Sequence, residues 1–327
     1  MATQDAEGIL YSRLLDRRGG ARPVDPSAVG TVTPEEGVLW IHLDVKSGES
    51  WDWLRNSSGL DETTLDALLA GETRPRYVPG ERGMLIVLRG VNTNPGADPE
   101  DMVSIRLWLE RDRIISTRRR KLLTIVDIRE SLEAGNGPRS SGEFLTTLVS
   151  GLADRIGDFV ETIEDDIGAA ESNLEGSDVP PEAGSAVATL RREIASVRRF
   201  LAPQRDALDR LYRNPPDILT KDETEELREE ADRITRYLED LDLARERAMV
   251  LREEYLAQIA QQQNARMYVL SIVAAIFLPL SFLTGLLGMN VGGLPGLESP
   301  RGFMVSVIVM VISAAALLGY FRFRKWL

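Results

Sequence analysis

The chain has 327 residues, 28% of them charged, and a formal net charge of −12. A domain this acidic repels nucleic acid and attracts cations, so we expect no nucleic-acid partner. The sequence has no cysteine and one histidine, which excludes a disulfide framework and a thiolate metal site. It also lacks a Walker-type phosphate loop, and a single histidine does not support a hydrolytic triad. We therefore expect neither an enzyme nor a resident cofactor.

Residues 1–141 are predicted to form an α/β domain. A short helical pattern, Asp61 to Ala70, begins with an aspartate that suits an N-cap. The N-terminus lacks a basic segment followed by an apolar one, so no signal peptide is expected. Three runs alternate in polarity or are rich in β-branched residues, and they are read as strands: 37–45, 76–91 and 101–117.

From Gly142 onward the apolar residues recur with the period of a helix. Proline pairs at 180–181 and 215–216 interrupt the pattern, which predicts helices over about 142–174 and 183–212 and a third from about 222. No glycine or proline occurs from Asp222 to Arg266, and the pattern runs directly into an apolar segment. We therefore predict one helix of about 65 residues, about 100 Å long. Residues 142–266 form a cytoplasmic helical region and stalk.

The stalk carries an apolar seam with the spacing of a coiled coil. A two-helix membrane hairpin cannot enclose a pore by itself, so several chains would have to surround an axis. We expect the seam to offer the surface that joins them. Its members are Leu227, Ala231, Ile234, Leu238 and Leu241, with Ala248, Leu251 and Tyr255 continuing it.

Residues 267–327 are predicted to be a transmembrane domain. The runs 267–287 and 303–321 contain no charged side chain, and each is long enough to cross a bilayer as a helix. Arg266 precedes the first run, and Arg322, Arg324 and Lys325 follow the second. Because basic residues favour the cytoplasmic side, we expect both termini in the cytoplasm and residues 290–302 in a short outer loop. We expect a multi-pass protein of the inner (plasma) membrane, in contact with lipid.

One face of the first span carries small or weakly polar groups. It lines a pore or allows close helix packing, and periodicity alone leaves both open. In a pore, ions would pass hydrated or meet carbonyl, hydroxyl and amide oxygens. The stripe comprises Asn264, Met267, Ser271, Ala274, Leu278, Ser281, Gly285 and Gly288, with Leu270 as an alternative to Ser271.

Gly288-Met289-Asn290 ends the first span. Glycine and asparagine often close a helix in left-handed geometry, so the tripeptide alone is a weak signal. The segment Phe277 to Asn290 (FLPLSFLTGLLGMN), with the short loop, second span and basic Lys325-Trp326-Leu327 end, closely resembles the CorA family of divalent-cation transporters. The resemblance implies a homopentamer whose Asn290 ring meets the hydrated metal at the outer mouth. It also implies a pore along Asn264, Met267, Ala274, Leu278 and Ser281.

The loop Val291 to Gly296 (VGGLPG) resembles that of the ZntB-type zinc transporter branch. Zinc prefers cysteine and histidine ligands, and this chain offers almost none. Selection would therefore act on a partly hydrated ion. Magnesium, cobalt and nickel stay open as substrates.

Other charged groups are weaker candidates for sites. Glu229, Glu230 and Asp232 on the third helix, and Glu161 and Asp165 on the first, could bind cations between subunits, although charged helix faces are more often solvated. His42 and Asp44 could form a metal pair, but a structurally bonded histidine is favoured. The run Arg118 to Lys121 is expected to be a surface counter-charge to the acids.

Taken together, the sequence predicts an α+β membrane protein with an N-terminal α/β cytoplasmic domain, a helical stalk and two C-terminal transmembrane helices. The leading hypothesis is zinc uptake through a five-fold pore, with proton coupling open. The alternatives are a magnesium, cobalt or nickel channel, zinc efflux on the same scaffold, and a membrane-anchored metal sensor that does not transport. A stripe that ends in Asn290 favours transport, since an anchor would not need it.

Overall fold

The computed structural model describes residues 9–71, 73–174, 180, 182–289 and 300–324. Two short 3-10 turns, Pro26–Thr31 and Pro34–Glu36, lie between the second and third strands. The strands are β1 Ile9–Leu15, β2 Ala21–Pro23, β3 Val38–Asp44, β4 Arg76–Pro79, β5 Met84–Gly90, β6 Val103–Leu109 and β7 Arg113–Arg118. The helices are α1 Gly48–Ser57, α2 Glu62–Leu69, α3 Leu123–Glu133, α4 Ser141–Leu174, α5 Ala183–Arg213, α6 Lys221–Leu287 and α7 Gly302–Phe323.

The strands form one sheet in the order β2-β1-β3-β7-β6-β5-β4. The β3–β7 pair is parallel, with Trp40 opposite Ile114, and the other pairs are antiparallel. The predicted run 37–45 contains β3. The other two runs each contain two strands joined by a tight turn, as where the Glu110 N–H donates to the Arg113 carbonyl at 2.8 Å.

Helices cover both faces of this sheet. Because side chains alternate along β3, Leu39 and Ile41 point to one face, where they join α1 and α2 in a buried cluster through Trp53, Leu54 and Leu68. The opposite face packs on α4. There the Trp40 and Phe144 rings lie 4.8 Å apart.

The predicted helices are found close to their expected ends. The capping prediction at Asp61 is confirmed, since its carboxylate accepts the Thr64 N–H at 2.9 Å. The helices α4, α5 and α6 begin and end within two residues of the predicted positions. Strands β1 and β2 and helices α1 and α3 are absent from the prediction.

The seam of α6 is buried inside a single chain, which corrects the expectation that it joins chains. Ile234 and Leu241 are fully buried and Leu238 is 6% exposed. Polar contacts beside the seam tie α6 to α4 and α5: Arg233 to Asp154 at 2.7 Å, Arg247 to Glu171 at 2.7 Å and Arg198 to Asp242 at 2.7 Å. The periodicity correctly indicated a covered face, but α4 and α5 of the same chain cover it.

The chain divides into two compact units, Met1–Glu253 and Glu254–Leu327. The first contains the sheet, α1 to α5 and the first half of α6. The second contains the apolar end of α6 and α7. The three-part division at residues 142 and 267 stays a prediction.

Candidate ion pathway

The second unit contains two helices long and apolar enough to cross a membrane. The apolar end of α6 reaches a mean hydropathy of 2.3 over 18 residues, and α7 reaches 2.4. None of either window is buried within the chain. Their large apolar side chains are therefore available to lipid or to other chains.

Each of these two helices has one half-buried face. In this unit the described residues form these two helices, so we infer that their half-buried faces pack together. On α6 the half-buried positions include Ile272, Ala275, Ile276, Leu280 and Leu283, and on α7 they include Ser306, Met310, Ser313, Ala314 and Leu317.

The candidate lining of α6 lies on the opposite side of the helix. At 100° per residue, the stripe from Asn264 to Gly288 is centred roughly 150° from the half-buried face. A stripe of small residues packed on α7 would be covered, and this one is not. All eight positions of the stripe are exposed, and so is Leu270. The exposed fraction is 62% for Met267, 65% for Leu270 and 69% for Leu278.

Polar atoms on this face remain available to an ion's water. The Ser271 hydroxyl donates to the Met267 carbonyl at 2.8 Å, so its oxygen still has lone pairs directed outward. Ala274 is exposed one turn further along and leaves room beside it. Such a face can pass a hydrated cation, but it offers no charged ligand.

The described part of α6 ends within the signature. The Gly288 N–H donates to the Thr284 carbonyl at 2.9 Å, and the Met289 N–H to the Leu286 carbonyl at 3.4 Å. Gly288 does not have the positive φ of a left-handed cap. Asn290 and the outer loop through Glu298 lie outside the described residues, and the role of the signature stays a prediction.

Two of the predicted acidic residues share a cavity in the first unit. Glu229 and Glu230 line a cavity of about 610 Å³ with Asp127, Glu143, Asp154 and Glu226. Arg233 partly neutralises it, because its guanidinium contacts Asp154 at 2.7 Å and Glu230 at 3.0 Å. Asp232, Glu161 and Asp165 are exposed and lie outside this cavity.

No group of three acidic or histidine side chains in the described part of the chain is arranged to hold a metal ion. The two acidic groups therefore stay a prediction that depends on carboxylates from adjacent subunits. Their negative charge still lowers the electrostatic potential near α4 and α6, which attracts cations.

His42 has a structural environment. It is fully buried, its Nδ1 lies 2.7 Å from the Ser116 Oγ, and its ring stacks on Tyr11 at 5.0 Å. Burial lowers the pKa of His42 well below its usual value, and the nearby Arg118 cation lowers it further. This supports the structural interpretation over a metal pair with Asp44.

The sequence of this chain is similar to those of known divalent-cation transporters. The family model described as CorA-like Mg2+ transporter protein matches residues 35–325. The divalent cation transporter CmaX of Pseudomonas aeruginosa is 41% identical over 99% of this chain and 98% of its own length. The zinc transport protein ZntB of Yersinia enterocolitica is 36% identical over 97% of this chain and 96% of its own length.

Solved structures extend the likeness to the whole fold. The structure of the full-length CmaX protein matches with a TM-score of 0.84 at 40% identity, covering 99% of this chain and all of that one. The CorA magnesium transporter of Methanocaldococcus jannaschii matches with a TM-score of 0.81 over the full length, but at 19% identity it shows the fold alone. A soluble α/β domain, a long helix and two apolar C-terminal helices are thus a shared architecture. The chain belongs to the CorA family of divalent-cation transporters.

Proposed function

We propose that this protein takes up zinc through a pore lined by α6, with Asn290 at the outer mouth. One observation carries the proposal: the stripe from Asn264 to Gly288 is exposed and lies on the side of α6 opposite its half-buried face. A stripe that packed on α7 would be covered within the chain, whereas a pore lining stays exposed in a single chain. Membership of the CorA family supports the transport class.

The path requires several chains, and we propose five on the basis of the family resemblance. The seam at Ile234 and Leu241 is occupied within the chain, so subunit contacts need other surfaces. The outer face of α6 offers Leu243 and Val250, two turns apart and 57% and 54% exposed. Native mass spectrometry in mild detergent should find pentamers, and monomers or dimers would contradict the pore.

Zinc is proposed as the first substrate because the ZntB relative is named for zinc transport. The CmaX relative is named for divalent cations in general, so magnesium, cobalt and nickel are the alternatives. The one histidine is buried in the first unit. An ion on this path therefore meets oxygen ligands and keeps part of its water.

Any proton coupling must follow the same route. Residues 267–287 and 303–321 contain no Asp, Glu, His, Lys or Arg that could relay a proton. Proton influx, if coupled, should therefore disappear together with the metal flux. The variant Glu298→Gln should change the apparent affinity only modestly, since a carboxylate on the predicted outer loop would be screened by salt.

The deciding experiment is divalent flux into liposomes that contain the purified protein. Wild type should carry zinc inward, and Asn290→Ala should abolish the flux while leaving assembly intact. The matched control is Asn56→Ala, an exposed asparagine on α1. Wild-type flux in Asn290→Ala would remove the signature from the mechanism, and flux of magnesium but not zinc would favour the alternative substrate.

A further inference from the structure

A basic cavity in the first unit stands out against the acidic chain. It has a volume of about 1140 Å³. Seven cationic side chains and two carboxylates are among the described residues that line it. The cations are Lys46, Arg74, Arg89, Arg119, Arg120, Arg192 and Arg199, and the carboxylates are Glu100 and Asp101.

Separate elements bring these cations together. Lys46 follows β3 and Arg119 follows β7, which are the two parallel strands, so both lie beyond the carboxyl ends of those strands. Arg192 and Arg199 reach the cavity from α5, two turns apart. Crevices at the carboxyl ends of parallel strands are common ligand sites in α/β folds.

Most of these cations form no ion pair with the described residues. Arg120 forms a two-point ion pair with Asp101. None is found in the described part of the chain for Lys46, Arg74, Arg119, Arg192 or Arg199.

The cavity floor is built to hold positive groups in place. The Arg89 guanidinium donates to the carbonyls of Thr73 at 3.0 Å and Met102 at 3.0 Å and lies 3.9 Å above the Phe200 ring. These contacts hold the guanidinium in position at the cavity floor. The side chain is therefore held ready rather than free to turn into solvent.

A buried arginine adjoins this floor. Arg106 is fully buried, and its Nη2 donates to the carbonyls of Ala70 at 2.6 Å and Gly71 at 3.2 Å. Its Nε and Nη1 have no hydrogen-bond partner among the residues that the structure describes. Burial lowers the pKa of Arg106 to about 10, and repulsion from Arg119 and Arg89 adds to the effect. Arg106, Arg119 and Arg89 therefore lie close together, although a nearby carboxylate would stabilise the buried cation better.

We propose that this cavity binds a small polyanion whose recognised group is a chain of phosphates, such as an oligophosphate or a nucleoside triphosphate. Guanidinium groups bind phosphate oxygens with paired hydrogen bonds, and several from different elements can surround a chain of phosphates. The volume exceeds that of a single inorganic anion and suits a metabolite-sized ligand. Arg119 and Arg120, in the middle of the run Arg118 to Lys121, then serve this site rather than acting as a counter-charge to the acids of α4 and α6.

The test is calorimetric titration of the purified full-length protein in detergent, at fixed ionic strength and with EDTA to remove divalent ions. The probes are sodium tripolyphosphate, ATP, inorganic phosphate and sulfate. Tripolyphosphate should bind more tightly than phosphate or sulfate, and its affinity should fall with added salt. Equal binding of ATP and tripolyphosphate means that the phosphates alone are read, whereas tighter ATP binding identifies a nucleotide as the ligand.

The variant Arg192→Gln with Arg199→Gln should weaken tripolyphosphate binding about tenfold or more, since charge-assisted contacts are lost. Both side chains are exposed on α5, so the fold should be retained. Arg119→Gln, from another element, should weaken binding in the same direction. The matched control, Arg210→Gln with Arg245→Gln, removes two exposed arginines that lie outside the cavity and should leave the affinity unchanged.

Two results would overturn the proposal. One is the absence of tripolyphosphate binding to wild type, and the other is an equal loss of affinity in the control variant. If wild type binds no probe and the Arg192 and Arg199 variant also loses its oligomeric state in native mass spectrometry, the cavity is assigned instead to carboxylates of a second copy.

Discussion

The two compact units differ in how much of their apolar surface is buried. Up to Glu253 most large apolar side chains are buried by the chain itself, and Leu241 on α6 is fully covered. From Glu254 most of those described are exposed, and Leu278 on the same helix is 69% exposed. One helix therefore passes from a region where its own chain excludes water to a region where lipid or other chains must do so.

This difference predicts that substitutions in the second unit act on transport with little effect on folding. Ala274→Phe adds bulk to the exposed stripe and should abolish divalent flux in liposomes, because a small side chain is replaced on the proposed lining. Val273→Phe is the matched control, since its position lies well away from that stripe. Comparable loss in both variants would show that bulk anywhere on α6 disturbs the hairpin.

The first unit should show the reverse behaviour. Ile234→Ala removes a fully buried side chain from the α6 seam and should lower the free energy of unfolding by about 2–5 kcal/mol. Leu256→Ala, at a position 53% exposed in the second unit, should change it by about 0.5 kcal/mol or less. Urea unfolding followed by tryptophan fluorescence suits the comparison, because Trp40, Trp53 and Trp108 lie in the buried core. Equal effects would contradict the partition of burial between the units.

The smallest expected effect is a pH dependence confined to the first unit. The pKa of His42 is lowered in the folded state, so the unfolded chain binds more protons as the pH falls below the ordinary histidine pKa of about 6.5. Its contribution to stability is complete above that pH and is lost as the pH falls. Between pH 7.5 and 5.5 the stability should fall by an amount on the order of 1 kcal/mol.

His42→Asn should remove this part of the pH dependence, because asparagine can bond to Ser116 but does not titrate. The measurement is again urea unfolding of the two proteins at both pH values. An identical slope in wild type and His42→Asn would mean that the histidine is not the group that titrates.

Most helices and the spans could be predicted because their signals are local. The breaks at Pro180 and Pro215 separate α4, α5 and α6, and the absence of charge from 267 to 287 identifies a span directly. Strand β1 gave no comparable signal, because its sequence ILYSRLL does not alternate cleanly. Its place between β2 and β3 depends on pairing with residues far along the chain.

The errors and omissions share one cause, because a sequence pattern does not show which part of the molecule a residue contacts. The spacing of Leu227 and Ile234 shows that this face of the helix is covered. The same spacing would result if it packed on α4 or on another chain. The basic cavity was missed for a related reason. Its cations come from positions as distant as Lys46 and Arg199, and nothing in the sequence between them shows that they meet.

The burial of the α6 seam has a consequence for how the protein is made. The stretch from Leu227 to Leu251 carries the buried seam of α6, and it is the last part of the first unit to be synthesised. Until it emerges from the ribosome, the side of α4 that contacts Arg233, Tyr237 and Arg247 lacks its cover. The span that begins at Met267 follows closely. Completion of the soluble fold and delivery to the membrane therefore fall in the same short interval of translation, so a chain that stalls there exposes both apolar surfaces at once.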